Sequence, residues 1–481
     1  MHKLIVVGKK ENAGGAAVAT RRLVSGLRLA GQDVSLLVQT AQSTDPETIT
    51  LACRKQHLGC WQLQERMAND LVRSRRANPG GSAFSFPYPG MDLASLAGTR
   101  NALLVNIHHV PGFLSTESIS GLLRQHIPVV ITLHDQWMLT GGCHYSGGCD
   151  RYREDCRDCP QLTGESRDIP ARVLQNRLKL WQDNLILVAP SRWMRDCAKS
   201  SRLFRHSTVE WIPNGLDTRM FSPQQKMTAK REAGISPRSR VILFGAPSFR
   251  VRRKGFAEIQ QALLYCLKDP GFARAVRSGA IRLVAFGTPG TAKAAAGDLP
   301  IHWLGKMKTE TALVALYRSA DVFVLPSLED NLPNTMLEAM ACGTPLAAFA
   351  TGGIPDAVRD GETGFLAACG NSQELGARIL NLIKNPRRAK RMGRAAADLV
   401  QKEFRLDLQA ERYLRLFGQV AADRLSGGSD EKSAAVNATS TVITADPAPI
   451  AAEFFFSMET RFQQQGVTAD CGRLEECGDR R

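Results

Sequence analysis

Two carboxylates flank a predicted helix start in the C-terminal half of the chain. Asp330 and Glu338 stand eight residues apart, and the helix is predicted to begin between them, near Asn334 and Thr335, after a strand and a polar turn. The first turn of a helix offers unpaired backbone N–H groups and partial positive charge, which suit a diphosphate. Carboxylates accept hydrogen bonds from hydroxyl groups, so the pair suits the hydroxyls of a sugar or a ribose. An acidic pair at a helix start more commonly stabilises the helix through its charge without binding a ligand. Other segments of the chain are needed to choose between the two interpretations.

A second group with ligand chemistry is a run of four cysteines, Cys143, Cys149, Cys156 and Cys159, spaced C-x5-C-x6-C-x2-C. Four thiols in one loop-like segment can satisfy a tetrahedral zinc ion, and the final C-x2-C is the usual chelating half. Four cysteine ligands leave no open coordination position, so such a zinc would be structural rather than catalytic. Reduced free thiols, or a disulfide in an oxidising compartment, are the alternatives.

Short apolar runs alternate with helical stretches along the chain and predict the elements that position these groups. Strands are expected at residues 3–8, 34–38, 103–108, 129–134, 185–190 and 209–213, and again at 241–245, 283–287, 301–305, 321–326 and 345–349. Strands that are apolar throughout and separated by helices indicate a parallel sheet covered on both faces. The interruption at a Pro-Asn-Gly turn and a polar segment, near residues 215–238, predicts two doubly wound α/β domains in tandem.

The predicted organisation is an N-terminal Rossmann-like domain over residues 1–220 with a Cys-rich insert at 143–159, and a C-terminal Rossmann-like domain over 221–405. A terminal helix is expected at 406–424. A tail at 425–481, rich in Gly, Ser, Ala, Thr and Asp, is expected to be disordered. Ligands of open α/β sheets bind beyond the carboxyl ends of the strands, so two facing sheets predict a cleft between the domains.

The chain has a net charge of +16, and its basic residues are concentrated in three segments: Arg73 to Arg76, Arg250 to Lys254, and Lys384 to Arg394. Aromatic residues make up only 6% of the chain, which disfavours nucleic-acid binding because single strands are held by stacking as well as charge. Anionic lipid headgroups or phosphorylated substrates fit better, and a solvated basic face is the commonest outcome for any one run.

The sequence shows neither a signal-peptide core nor an apolar run long enough to span a bilayer, so a cytoplasmic protein is expected, with peripheral contact at the inner face of the membrane as one interpretation of the basic excess.

The helix that follows Asp330 carries Glu338-Ala339-Met340-Ala341 and then a Gly343-Thr344-Pro345 turn. This stretch resembles the retaining glycosyltransferases of family 4, which have the GT-B fold and include bacterial enzymes of polysaccharide assembly. Their hallmark pairs two Glu residues separated by seven positions, and here Asp330 replaces the first. The resemblance covers about residues 1–420 and extends to a Cys-rich insert like that of colanic-acid-type transferases.

The resemblance implies roles for residues of this chain in holding a nucleoside-diphosphate sugar. Glu338 is expected on the ribose, Asp330 and His134 around the transferred sugar, and Asn331 and Leu332 beside it. The remaining implied positions concern the phosphates and the acceptor: Gly14 and Gly15 in a glycine-rich loop, Lys254 with Arg250, the helix start at Asn334 and Thr335, and, on the acceptor side, His108 and His109. Among the nearby basic residues, Arg252 and Arg253 remain alternatives to Arg250.

The expected function is retaining transfer of a sugar to a hydroxyl of a saccharide or lipid-linked saccharide, in cell-envelope or exopolysaccharide biosynthesis. No Asp-x-Asp motif follows a strand in the cleft, so catalysis is expected without a divalent metal or other cofactor. A nucleotide-sugar epimerase or a phosphorylase with the same fold is an alternative. A nonenzymatic zinc- and nucleic-acid-binding protein is another.

Overall fold

The computed structural model describes residues 3–78, 80–181, 185–290, 292–427 and 442–445. The N-terminal domain alternates strands and helices, as the sequence predicts. Its strands are β1 (Leu4–Lys10), β2 (Val34–Thr40), β3 (Thr48–Cys53), β4 (Leu104–Ile107), β5 (Val129–Thr132), β6 (Ile186–Ala189) and β7 (Val209–Trp211). Its helices are α1 (Gly15–Leu29), α2 (Leu58–Arg75), α3 (Ala97–Arg100), α4 (Thr116–Arg124), α5 (Ile169–Leu180) and α6 (Arg192–Ser200).

The pattern then restarts to form the C-terminal domain. Its strands are β8 (Arg240–Ser248), β9 (Ile281–Thr288), β10 (Ile301–Trp303), β11 (Val322–Leu325), β12 (Leu346–Phe349) and β13 (Gly364–Ala367). Its helices are α7 (Lys226–Glu232), α8 (Phe256–Leu267), α9 (Pro270–Arg277), α10 (Ala292–Ala295), α11 (Glu310–Ser319), α12 (Asn334–Ala341), α13 (Ser372–Lys384) and α14 (Pro386–Glu403). The chain passes from one sheet to the other between β7 and β8.

Both sheets are parallel and buried by helices on their two faces. Within the described residues, the N-terminal order is β3-β2-β1-β4-β5-β6-β7 and the C-terminal order is β10-β9-β8-β11-β12-β13. Central strands such as β4, β5 and β11 are buried along their whole length, which explains why they read as continuous apolar runs. The order reverses beside β1 and β8, and there the strand ends open a crevice in each domain.

A last long helix, α15 (Leu406–Gly427), leaves the C-terminal domain and packs back on the N-terminal one. Tyr413 and Phe417 join the core formed by Leu23 and Val6, and the Tyr413 hydroxyl lies 2.9 Å from Thr132 Oγ1. Burial of these apolar side chains ties the two domains together through the chain terminus.

Three strands differ from the sequence prediction. β3 was not predicted, because its residues are only partly buried and give a weak apolar signal. Gly364–Ala367 was not among the predicted strands but forms β13, paired with β12. The tail predicted to be disordered contains β14 (Val442–Ala445), a short run with three β-branched residues that pairs with the open edge of β3. Residues 428–441 and 446–481 of that tail lie outside the described residues.

None of the described helices has the length and hydropathy that crossing a bilayer requires.

Candidate functional site

A cleft of about 700 Å³ lies between the carboxyl ends of the two sheets, within the usual size of small-molecule sites. Most of the sequence-predicted site residues line it: Gly14, Gly15, His109, His134, Lys254, Asp330, Asn331, Leu332, Asn334 and Thr335. Arg250, Glu338 and His108 are not among the lining residues. The cleft also takes in Arg253, which the sequence analysis kept as an alternative to Arg250, and four residues that it did not single out, namely Lys9, Asp135, His144 and Tyr145.

An ion cluster forms the C-terminal side of the cleft. Lys254 Nζ donates to Asp330 Oδ2 at 2.5 Å, and Arg253 Nη1 lies 3.5 Å from the same oxygen. Ser327 Oγ donates to this oxygen at 3.2 Å. Burial alone would raise the pKa of Asp330, but the charges of Lys254 and Arg253 outweigh it and hold that pKa below its ordinary value. The cluster therefore carries two cations against one carboxylate, and the excess positive charge faces the cleft.

A tight turn aims Lys254 at this position. Residues Arg252–Lys254 form a 3-10 turn that ends at Gly255, whose φ is 70°. A Cβ at Gly255 would lie 1.7 Å from the carbonyl oxygen of Pro326, so only glycine fits between the two segments.

Arg250, to which the sequence analysis assigned a phosphate role, does not line the cleft, and that role stays a prediction. Arg250 is exposed and lies against Gly290, away from the cleft lining. Arg252 points outward and pairs with Glu258 at 2.6 Å. Arg253 is the arginine of the segment that reaches the cleft, with its guanidinium 4.1 Å above the ring of Tyr145.

The start of α12 meets the glycine-rich loop across the cleft. Asn334 Nδ2 donates to the carbonyl of Gly15 at 2.9 Å. Gly14 precedes α1 with a φ of 98°, a backbone conformation that favours glycine. Pro333 precedes α12 and provides no side-chain cap, so the first N–H groups of this helix remain suited to an anion.

Asn331 lines the cleft, and its side chain also connects the two domains. Its Nδ2 donates to the carbonyls of Leu133 and His134 at 2.8 and 3.1 Å, and Ser191 Oγ donates to its Oδ1 at 2.6 Å. Its amide is saturated by protein partners. Leu332 lies beside it, is buried, and contributes to the cleft wall.

Glu338 lies one turn further along α12, in a buried ion pair. Its Oε1 is 2.8 Å from Arg22 Nη2 of α1, and Tyr317 donates to its Oε2 at 3.0 Å. Arg22 also reaches Glu310 at 3.1 Å. The pair fastens the two domains together, so the ribose role expected for Glu338 requires its carboxylate to be shared with Arg22 or released from it.

His134 ends a chain of hydrogen bonds that fixes its tautomer. Asn106 Nδ2 donates to the carbonyl of Val130 and to Thr132, so Asn106 Oδ1 is free to accept from His108 Nε2, at 2.7 Å. The other nitrogen of a neutral His108, Nδ1, is then an acceptor for His134 Nε2, at 2.8 Å. His134 Nδ1 is consequently left with a lone pair that can accept a hydrogen bond from a ligand hydroxyl.

The pH dependence of stability should reveal this neutral pair. Burial, and then the nearby His109, lower the pKa of His134 to about 4 from 6.5. The unfolded chain therefore binds more protons than the folded one between these values, and stability falls as the pH drops through that window, by about 3 kcal/mol for this group. Urea unfolding at about pH 7 and about pH 4.5 measures the loss. His134→Asn should flatten the slope, and an unchanged slope would contradict the assignment.

A second polar group lies on the N-terminal side of the cleft. Asp135 Oδ2 is 2.7 Å from His144 Nδ1 and 3.5 Å from His109 Nε2, and Asp135 Oδ1 accepts from the Trp137 N–H at 3.0 Å. Burial would raise the pKa of Asp135, yet these partners hold it well below its ordinary value. In the described part of the chain, His109, Asp135 and His144 form the one set of three candidate metal ligands within 4.8 Å of one another.

The four cysteines predicted to hold zinc lie in the segment that delivers His144. They form the thiol cluster, Cys143, Cys149, Cys156 and Cys159, and all four are unpaired and line one small cavity of about 20 Å³. No three of their sulfurs lie within 4.8 Å of one another, so they are spaced more widely than the ligands of a closed metal site.

Several of these contacts had no local sequence signal. Arg22 sits in an ordinary amphipathic helix, and its partner Glu338 is more than 300 residues away in the chain. Arg253 is one of three neighbouring arginines, and the turn that ends at Gly255 determines which of them reaches the cleft. Tyr145 and His144 follow Cys143, and the spacing of the cysteines indicates metal binding rather than a position in the cleft.

Comparison with known proteins agrees with this architecture. Residues 13–220 match the family model described as Glycosyltransferase Family 4, and residues 286–399 match the one described as Glycosyl transferases group 1. The chain is 22% identical over 358 residues to N-acetyl-alpha-D-glucosaminyl L-malate synthase of Bacillus anthracis, covering 71% of this chain and 83% of that protein. It is 27% identical over 446 residues to D-inositol 3-phosphate glycosyltransferase of Mycobacterium tuberculosis, covering 87% and 82%.

Solved structures share the fold over most of the chain. Sucrose-phosphate synthase of Thermosynechococcus elongatus has a TM-score of 0.59 at 18% identity and covers 88% of this chain and 100% of its own. HepE of Anabaena, solved with UDP-glucose, has a TM-score of 0.59 at 15% identity and covers 87% and 100%. The predicted fold class and the predicted enzyme class are confirmed. The chain is a glycosyltransferase with the GT-B fold, and over residues 13–220 it is similar to Glycosyltransferase Family 4.

Proposed function

We propose that this glycosyltransferase moves a sugar from a nucleoside-diphosphate sugar to a hydroxyl acceptor with retention of configuration. The supporting observation is the convergence, in one cleft, of the excess positive charge at Lys254 and Arg253 with the start of α12. Helix N-termini and cationic side chains are complementary to a diphosphate. Solved structures of HepE, which shares the fold, contain UDP and UDP-glucose. Retention is what the family resemblance implies.

The same groups suit the chemical step. As the glycosidic bond breaks, negative charge builds up on the departing diphosphate, and fixed cations and backbone dipoles stabilise it in the transition state. Lys254 is the best placed, although the donor must compete with Asp330 for its ammonium group. Asp330 can then accept hydrogen bonds from sugar hydroxyls, while His134 offers a neutral acceptor on the opposite wall.

The acceptor is proposed to enter from the N-terminal side, past Lys9, His109 and Asp135. The family resemblance implies a saccharide or lipid-linked saccharide of cell-envelope or exopolysaccharide synthesis as this acceptor. Lys9 and Lys10 also favour a second candidate, a small acceptor that carries negative charge, and relatives are named for L-malate and for D-inositol 3-phosphate. The exposed basic residues of α14, among them Lys390, Arg391 and Arg394, fit peripheral contact with anionic lipid, which remains a prediction.

A thermal-shift screen of nucleoside diphosphates and their sugars tests the donor class. Ligands that bind only the folded state raise its melting temperature, so at least one nucleoside diphosphate should do so at concentrations well above its Kd. Incubation of that donor with a panel of neutral and anionic acceptors then distinguishes transfer from the alternatives. Conversion of the donor without an acceptor would indicate an epimerase, and a screen with no shift for any nucleotide would overturn the proposal.

A further inference from the structure

The thiol cluster has the residue composition and the partly buried position of a structural metal site, and not those of a nucleophilic or redox-active cysteine site. Its four thiols are free and line one small cavity, and those of Cys156 and Cys159 are buried. Buried cysteine thiols are inert as nucleophiles and as redox centres, whereas a bound cation ionises the sulfurs that coordinate it.

An independent observation comes from Arg177, which is fully buried on α5. Its Nη1 donates to the carbonyls of Trp137 and Thr140, both at 2.6 Å. Its Nε and Nη2 have no hydrogen-bond partner among the described residues. A buried guanidinium with two nitrogens that find no acceptor carries a large desolvation cost.

Two cysteines of the thiol cluster are among the titratable groups close enough to influence Arg177. Among the groups that favour its charged form Cys156 is first, followed by Tyr88 and Glu117, and then Cys143. The Glu117 carboxylate accepts from Asn176 through Oε1 at 2.7 Å, and its Oε2 has no hydrogen-bond partner among the described residues. Arg76, half-buried on the other side, is likewise influenced by Cys143 and Cys159. Two arginines therefore flank four neutral thiols.

We propose that the thiol cluster binds one structural zinc ion as four thiolates and that Arg177 and Arg76 supply the balancing positive charge. Four thiolates around a doubly charged ion leave two negative charges, which the two guanidinium groups offset. Binding releases the four thiol protons. The cavity of about 20 Å³ has room for a single ion, which the cysteines would hold only after their side chains rotate toward it, because no three of their sulfurs lie within 4.8 Å of one another.

Backbone groups are already placed to stabilise the thiolates. The N–H groups of Gln161 and Leu162 point at the sulfur of Cys159, and that of Gly141 points at Cys156. Cys156 itself has a φ of 58°, as part of a tight C-x2-C turn. Hydrogen bonds to the charged form favour it, so the loop is shaped for ionised sulfur.

The zinc would hold in place the loop that closes the acceptor side of the cleft. The loop delivers His144 to Asp135 at 2.7 Å and places Tyr145 under Arg253. The N–H of Gly147 donates to Glu329 Oε2 of the C-terminal domain at 3.1 Å. Loss of the metal is therefore expected to loosen both the acceptor wall and the contact between domains.

Metal analysis of the protein, purified without a metal-affinity step, tests the proposal. We expect about one zinc per chain by mass spectrometry, in line with a single four-thiolate site. Mercurial titration of the thiols should release it. Cobalt substitution should give the charge-transfer band of a tetrahedral tetrathiolate. Cys156→Ser and Cys159→Ser should each lose the metal, whereas Cys369→Ser, at an exposed thiol outside the cluster, should keep it.

Should the cysteine variants fail to fold, Arg177 gives a second test. Arg177→Met should weaken zinc binding by about 10- to 100-fold, the usual effect of losing an outer-shell partner. Chelator competition measures this, with Arg172→Met on the exposed face of the same helix as the control. A protein without zinc, a zinc retained by the cysteine variants, or disulfides among these cysteines in mass spectra of the native protein would overturn the proposal.

Discussion

Lys254→Met is expected to lower kcat for sugar transfer by about 10²- to 10³-fold, the effect of removing one preorganised group that stabilises developing charge. Lys254 is partly buried in the cleft wall and reaches Asp330 at 2.5 Å, so its ammonium group is held in place before the donor binds. Once Lys254 is absent, the departing diphosphate faces Arg253 and a buried carboxylate. Initial rates with saturating donor measure the loss.

The control for this variant lies two residues away. Arg252→Met removes a cation from the same turn, but one that is exposed and paired with Glu258, so it should leave kcat nearly unchanged. Because Lys254→Met also leaves Asp330 with a weaker ion partner, its melting temperature has to be compared. Lys254→Met with Asp330→Asn should recover stability without recovering activity. Equal rates for Lys254→Met and the wild type would remove Lys254 from the chemical step.

The fold was predictable because its central strands are buried on both faces. Strands such as β5 and β11 read as uninterrupted apolar runs, and their regular alternation with helices requires a parallel sheet. Edge strands carry a weaker signal. β3 is half-exposed, and β14 lies in a stretch whose composition indicates disorder, so its pairing depends on an open sheet edge that local sequence does not reveal.

The candidate site was predictable where one segment determines its own geometry. The turn before Gly255 places Lys254, and the start of α12 follows from a strand and a proline. Contacts between distant segments were not predictable. Asn331 was expected beside the sugar, but its amide bonds to the carbonyls of the other domain. The packing of the two domains against each other determines these partners, and no residue pattern within either segment indicates that packing.

Glu338 is the residue for which the sequence and the structure suggest different roles, and a pair of variants can separate them. Removing one partner of a buried ion pair typically costs about 3 to 5 kcal/mol, because the other charge is left behind. Glu338→Gln should therefore lower the melting temperature. Arg22 retains Glu310 at 3.1 Å, which places the expected loss at the lower end of that range.

Arg22→Met breaks the same pair from the other side but leaves the carboxylate in place. If Glu338 holds the ribose of the donor, Glu338→Gln should raise the donor KM by about tenfold or more, the worth of a hydrogen bond to a charged group, while Arg22→Met frees the carboxylate and changes KM much less. If Glu338 serves only to fasten α12 to α1, both variants should lose stability and activity in parallel. Donor KM and melting temperature, measured for both variants, decide between a ligand for the nucleotide and a clamp between the domains.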